Sequence, residues 1–289
     1  MKKYLILACM IFGCCLGRAF DLHNPNMHCG EDTVIINALF EELKSRDDLS
    51  KGDKIAFVAA RCIDAPADDY FMTDSVGSLR INAHSFTPLW LVNFAVAMAN
   101  AAETPGPTDW RTYAREMEKI ACRRGEDKGF PSIMFHSSDW IGDNSSRGLV
   151  MEITENYPGT EQRTKSLDEL SRNRAKYAPL ANEETYEAVR MTEMGFRSHR
   201  VPSLRRDAAK RKDVAADLQN GDIVIFVSNG EGTDFYDMGI IEKEGEGKFR
   251  FIHVSPTAKK VIREADDLPR YATFATKNFK GLRFVRAKE

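Results

Sequence analysis

Residues 87–103 read Thr-Pro-Leu-Trp-Leu-Val-Asn-Phe-Ala-Val-Ala-Met-Ala-Asn-Ala-Ala-Glu. Threonine before proline is a strong helix start: the hydroxyl can cap the first free amides, and proline suits the first helical position. The segment has apolar residues on almost every face, which predicts a central helix buried on all sides. Thr104-Pro105-Gly106-Pro107 ends it. A helix of this kind needs partners, and the flanking sequence supplies them.

On its N-terminal side, Thr33–Leu43 carries Val34, Ile35, Ala38, Leu39 and Leu43 at helical spacing. Ser50-Lys51-Gly52-Asp53 restarts the chain into a helix over 54–62, with Ile55, Val58, Ala59 and Cys62 as its inward stripe. Ser78–Asn82 reads as a short strand, and Thr108-Asp109 caps a further helix over 110–122. A polar helical stretch, broken at Pro179, is expected over 166–193. The C-terminal third changes character. Asp222–Ser228 is a buried strand, followed by strands over 235–242, 249–254 and 282–285. The Glu244-Gly245-Glu246-Gly247 turn makes the middle pair an antiparallel hairpin. Helices first and strands later predict an α+β class, with residues 20–289 as one domain.

The chain has 289 residues, 43% hydrophobic and 29% charged, which excludes wholesale disorder. Its formal charge of −2 offers no electrostatic footprint for nucleic acid. Residues 1–19 have Lys2 and Lys3, an apolar run from Tyr4 to Leu16, and then Gly17-Arg18-Ala19. That order reads as a secretory leader, too short for a bilayer span, and no transmembrane segment follows it. Export to the periplasm or the medium is therefore expected. A lipoprotein variant would use Cys14, which follows the small Gly13. Cleavage after Ala19 shifts the formal charge to −5 by removing Lys2, Lys3 and Arg18. Three of the six cysteines leave with the leader; Cys29, Cys62 and Cys122 make no disulfide scaffold.

Common nucleotide and zinc signatures are absent, and no cofactor or metal is expected. His23, His28 and Cys29 cluster in a terminal loop, a poor preorganised metal site. Cys62 reads as core, and the basic cluster Arg205–Lys212, interrupted by Asp207, as a solvated loop.

Several segments together carry a family likeness. They are Leu79-Arg80-Ile81-Asn82 with Ser85-Phe86, Ser138-Asp139-Trp140-Ile141 with Asp143-Asn144, Leu218-Gln219-Asn220-Gly221-Asp222, Asp234-Phe235, Gly239, and Phe251-Ile252-His253-Val254-Ser255. In this order the chain closely resembles the N-acetylmuramoyl-L-alanine amidase-like family, within the papain-like NlpC superfamily of cell-wall peptidases and amidases. The likeness runs from about residue 33 to 286. It implies a papain-like fold, with a helical half packed on a C-terminal antiparallel sheet.

The resemblance also implies a cysteine nucleophile at the head of the central helix, in a pattern like N-x-x-x-F-D-C-x-T-F-V-E. A helix N-terminus lowers a thiol's pKa, and a nearby histidine completes the activation. Here the cysteine position is Pro88. The family histidine falls in a pattern like D-x-S-H-V-G, and its position is Asp237. The orienting residue on the next strand is retained as His253. Two of three catalytic members are thus replaced. The resemblance places Ser85, Thr87, Asp139, Trp140, Asn144 and Asp234 along the former cleft, Trp140 being suited to pack on a sugar or peptide face. A core role for Trp140, and a structural Asp237–His253 pair, stand as alternatives.

The expectation is an exported, catalytically inactive homologue that binds peptidoglycan fragments or a protein partner. Two alternatives stay open: an active amidase with rerouted chemistry, such as Asp237 and His253 acting on water, and a secreted scaffold that binds no glycan.

Overall fold

The computed structural model describes residues 26–27, 30–68, 78–107, 109–245, 247–274 and 277–289. The leader, Cys14, His23, His28 and Cys29, and most of the acidic loop over 64–74, lie outside the described residues.

Helices α1 (Asp32–Lys44), α2 (Lys51–Arg61), α3 (Pro88–Glu103) and α4 (Trp110–Ala121) form the first half. Helices α5 (Ser137–Ser146), α6 (Glu169–Arg172), α7 (Glu183–Met194), α8 (Lys212–Asp217) and α9 (Leu268–Phe274) follow between strands. A parallel pair joins β1 (Asn26–Met27) to β2 (Arg80–Ile81). The main sheet contains β3 (Val150–Glu152), β4 (Glu161–Lys165), β5 (His199–Arg205), β6 (Ile223–Ser228), β7 (Phe235–Gly245), β8 (Lys248–Ser255), β9 (Lys260–Arg263) and β10 (Phe279–Ala287). Its order is β4-β5-β10-β6-β7-β8-β9, with β3 also paired to β10, and every pairing is antiparallel. The α+β class read from the sequence is the class observed.

Helix α3 lies where its composition demands. Thr87 caps it by accepting from the Trp90 amide, Pro88 occupies the first turn, and twelve of its sixteen residues are buried. One face meets α1, α2 and α4; the other meets Ile223, Ile225, Met238, Ile240, Ile252 and Val254 of the sheet. Its alanines let these neighbours approach closely. The opposite sheet face forms a second core, with Phe226, Ile241, Phe251 and Phe284 packed under α9 and the Tyr157 segment. Strand alternation sends successive side chains of β6 and β8 to the two cores in turn.

Three departures from the sequence reading have local causes. Helix α2 begins at Lys51, three residues before its expected start, because Ser50 and Asp53 form a reciprocal capping box. Strands β3, β4, β5 and β9 appear where none was expected. Among them, β4 is polar along its length and β5 contains Pro202, so neither shows a buried-strand pattern. Helix α5 forms from Ser-Ser-Asp-Trp-Ile-Gly-Asp-Asn-Ser-Ser, a poor helix sequence, because Asp234 supplies its N-terminal acceptor from a distant loop. The carboxylate takes hydrogen bonds from the Ser137 amide (3.1 Å), the Ser137 hydroxyl (2.8 Å) and the Ser138 amide (2.5 Å).

The Leu218–Asp222 segment is a latch between the halves. Asn220 donates to Asp53 (2.8 Å), and Arg286 grips Asp222 through two bonds of 2.7 Å. Gly221 has φ +81°, and a Cβ there would sit 2.1 Å from the Gly52 carbonyl oxygen. Gly221→Ala is therefore expected to destabilise the fold by about 2 kcal/mol or more, read by urea denaturation. A loss within experimental error would remove the close approach from the account.

Candidate functional site

A cavity of about 170 Å³ opens at the head of α3. Its walls include Thr87, Pro88 and Trp90 from the helix start, Phe135 from the segment before α5, Tyr177, and Phe235 at the start of β7. Asn93 reaches its floor, and its side-chain oxygen accepts the Trp140 indole N–H at 2.7 Å. The lining contains no cysteine, histidine or carboxylate. Thr87 is committed as the cap of α3 (Oγ1 to the Trp90 amide, 3.2 Å).

The three expected catalytic positions are not brought together. Pro88 lines this cavity, on the α3 side of the sheet. Asp237 pairs across strands with Phe226, and His253 packs its ring on Phe251 (4.5 Å between centroids) and Tyr271 (5.6 Å). Both side chains therefore lie on the second-core face. A β-bulge causes the split. Simple alternation would put Phe235 and Asp237 on one face, but the register shifts between the Val227–Phe235 and Phe226–Asp237 pairs. Phe235 then faces α3 while Asp237 faces away.

The cleft residues implied by the resemblance divide in the same manner. Thr87 lines the cavity. Ser85 is buried just upstream, donating to Asp68 (2.6 Å) and accepting from Asn82 (3.0 Å). Trp140 is fully buried, so its ring offers no face to a ligand. Asp139 is ion-paired with Arg123, with burial raising its carboxyl against that pairing. Asn144 donates to the Ile120 carbonyl (3.0 Å), and Asp234 caps α5. None of Asp139, Trp140, Asn144 and Asp234 lines the cavity; each ties α5 to its surroundings. Phe135 and Tyr177 were not singled out from the sequence, and Phe235 entered only within the Asp234-Phe235 likeness, not as a cleft residue. Their signal, isolated aromatics at loop–element junctions, is too common to select them.

Asp237 and His253 form a buried pair, Nδ1 to Oδ2 2.6 Å, with Glu264 at 3.3 Å from Nε2. Glu264 was not anticipated as a partner. Burial alone would lower the imidazole's pKa, but hydrogen bonds to the two carboxylates outweigh it and push the value up to about 9. The ring is thus an imidazolium held between carboxylates, with both nitrogens donating. In that state it has no free nitrogen to accept a proton, so a general-base role at neutral pH has no support in this geometry.

Two outcomes follow. A histidine raised from 6.5 in the unfolded chain to about 9 in the fold contributes stability that is complete below pH 6.5 and lost as pH rises through 9. Unfolding free energy measured from pH 6 to 10 should therefore fall by a few kcal/mol in the wild type, and His253→Gln should flatten that slope. An unchanged slope would show that the imidazolium is not held as described. Trp140→Ala should cost about 3–5 kcal/mol of stability, through lost burial and an orphaned Asn93; an equally stable variant would contradict the core placement.

Known proteins agree with this architecture. A crystal structure of an N-acetylmuramoyl-L-alanine amidase from Bacteroides uniformis superposes with TM-score 0.72 at 22% identity, covering 83% of this chain and 99% of that one. A Bacteroides fragilis protein provisionally named a xylanase matches with TM-score 0.70 at 25% identity, covering 80% and 99%. A Legionella pneumophila protein matches with TM-score 0.63 at 12% identity, covering 89% and 95%. No functionally curated protein matches the chain. The family model described as N-acetylmuramoyl-L-alanine amidase-like matches residues 72–276, more than half of the sequence. The chain belongs to the N-acetylmuramoyl-L-alanine amidase-like family.

Proposed function

We propose that this protein is an exported, non-catalytic member of its family that binds peptidoglycan fragments at the head of α3. Residues 20–289 then act as one papain-like domain of the NlpC superfamily, with residues 1–19 as a removable leader. The observation that carries the reading is the composition of the cavity. Pro88 stands at the position where the resemblance implies a thiol, and the lining holds no imidazole or carboxylate to activate one. The β7 positions facing α3 are Phe235, Met238 and Ile240, and none of these side chains can act as the missing base.

What the cavity retains is a recognition surface. Aromatic rings at Trp90, Phe135, Tyr177 and Phe235 surround a small apolar space, with Asn93 as a polar element at the floor. Such a site suits the methyl groups and short aliphatic side chains of a muropeptide, while sugar faces pack on the aromatic rim.

The test uses purified muropeptides. The protein should bind at least one fragment saturably and release no stem peptide by chromatography. Phe235→Ala and Tyr177→Ala should each weaken binding by about tenfold while the far-UV spectrum is retained. Peptide release by the wild type would overturn the non-catalytic reading in favour of rerouted chemistry. Absence of binding across the panel would overturn the ligand and favour a protein scaffold.

A further inference from the structure

A second and larger cavity, about 440 Å³, lies between strand β4, the β6–β7 loop and the start of β10. It shares no lining residue with the cavity at α3, and its chemistry is opposite. Arg163, Lys165, Arg172 and Lys280 line it, against Glu231 as the carboxylate among them. Arg163 and Lys165 stand two residues apart on β4 and so share a face of that strand.

The neutralisation of these cations is uneven. Arg172 is paired with Asp168 (3.0 Å) and Glu231 (2.8 Å), and Arg163 with Glu161 (3.0 Å). Lys165 forms no direct ion pair among the described residues; its ammonium donates to the Gly230 (2.6 Å) and Thr233 (3.0 Å) carbonyl oxygens. Lys280 is exposed and makes no hydrogen bond or ion pair among the described residues. The Arg163 Nε is buried without an acceptor. Burial lowers the pKa of Lys165; the Asp234 and Glu231 carboxylates act against that lowering, while Lys280 and Arg163 add to it by repulsion. This concentration of positive charge occurs on a chain whose formal charge is −2, so it is a local construction.

We propose that this cleft binds a small oxyanion ligand, a molecule bearing two or more phosphate or carboxylate charges, held by Lys165, Lys280 and Arg163. The Lys280 ammonium, which has no ion pair among the described residues, can form charge-assisted hydrogen bonds with such groups together with Lys165 and the Arg163 guanidinium. An anion in the cleft offsets their mutual repulsion. The volume exceeds what a single inorganic ion needs and falls within the range of small-molecule pockets. This site stands independently of the reading given to the apolar cavity.

Isothermal titration of the protein at low ionic strength, with pyrophosphate and with citrate as separate probes, tests it. Saturable binding of at least one probe is expected, weakening as salt is added. Binding of pyrophosphate alone would identify phosphate as the recognised group, and binding of citrate alone would identify carboxylate. Lys280→Glu should weaken binding by about tenfold or more. Lys248→Glu, at an exposed position at the start of β8 and outside the cleft lining, should leave it unchanged. The proposal is overturned if neither probe binds, or if both variants weaken binding equally, which would mark general surface charge as the cause. The exposed Lys280 side chain has no partner among the described residues, so its variant is expected to keep the fold, and the thermal transition of the unliganded proteins checks this.

Discussion

The burial of α3 on every side is the constraint on which the rest of the structure depends. A sixteen-residue helix with almost no polar face cannot border solvent, so it has to be walled by other elements. Helices α1, α2 and α4 supply one side and the inner sheet face the other. Asn93 is the polar interruption in this wall, and its burial is tolerated because the Trp140 indole N–H satisfies its side-chain oxygen. That one hydrogen bond fixes α5 against α3. It also sets Asn93 and its neighbours at the floor of the cavity that the helix head leaves open.

The second organising element is charge buried in pairs around α5. Asp234 receives the helix N-terminus, and burial, which would raise its carboxyl, is outweighed by His136 and Arg283, which hold it low. Arg283 in turn grips Glu152 through bonds of 2.8 and 2.9 Å and donates to Ser138. Sites that look like polar cleft residues in a linear motif are thus consumed internally. Removing one partner would leave an uncompensated charge, whereas the whole set stabilises a helix that its own sequence would not hold.

Much of the architecture was legible in local pattern. Helix α3, its Thr-Pro start, the cap of α4 and the β7–β8 hairpin follow from residue chemistry within a few positions, and all are present. Strands β4 and β5 were not legible, since polar residues and Pro202 obscure their period. Helix α5 was illegible for a different reason: the acceptor for its amides comes from Asp234, ninety-six and ninety-seven residues away. No local window contains that information.

The candidate site divides along the same line. The sequence by itself determined that residue 88 is a proline at a helix head and that Asp237 and His253 lie on adjacent strands, because these depend on identity and short-range pattern. Only the tertiary structure decided which face each of them uses. One register shift in β7 turns Phe235 toward α3 and Asp237 toward the second core, and side-chain alternation carries that choice along the strand. Likewise, Arg163, Lys165 and Lys280 are unremarkable in sequence. They become a cleft because strand order sets β4 and β10 on either side of β5, which no separation along the chain foretells.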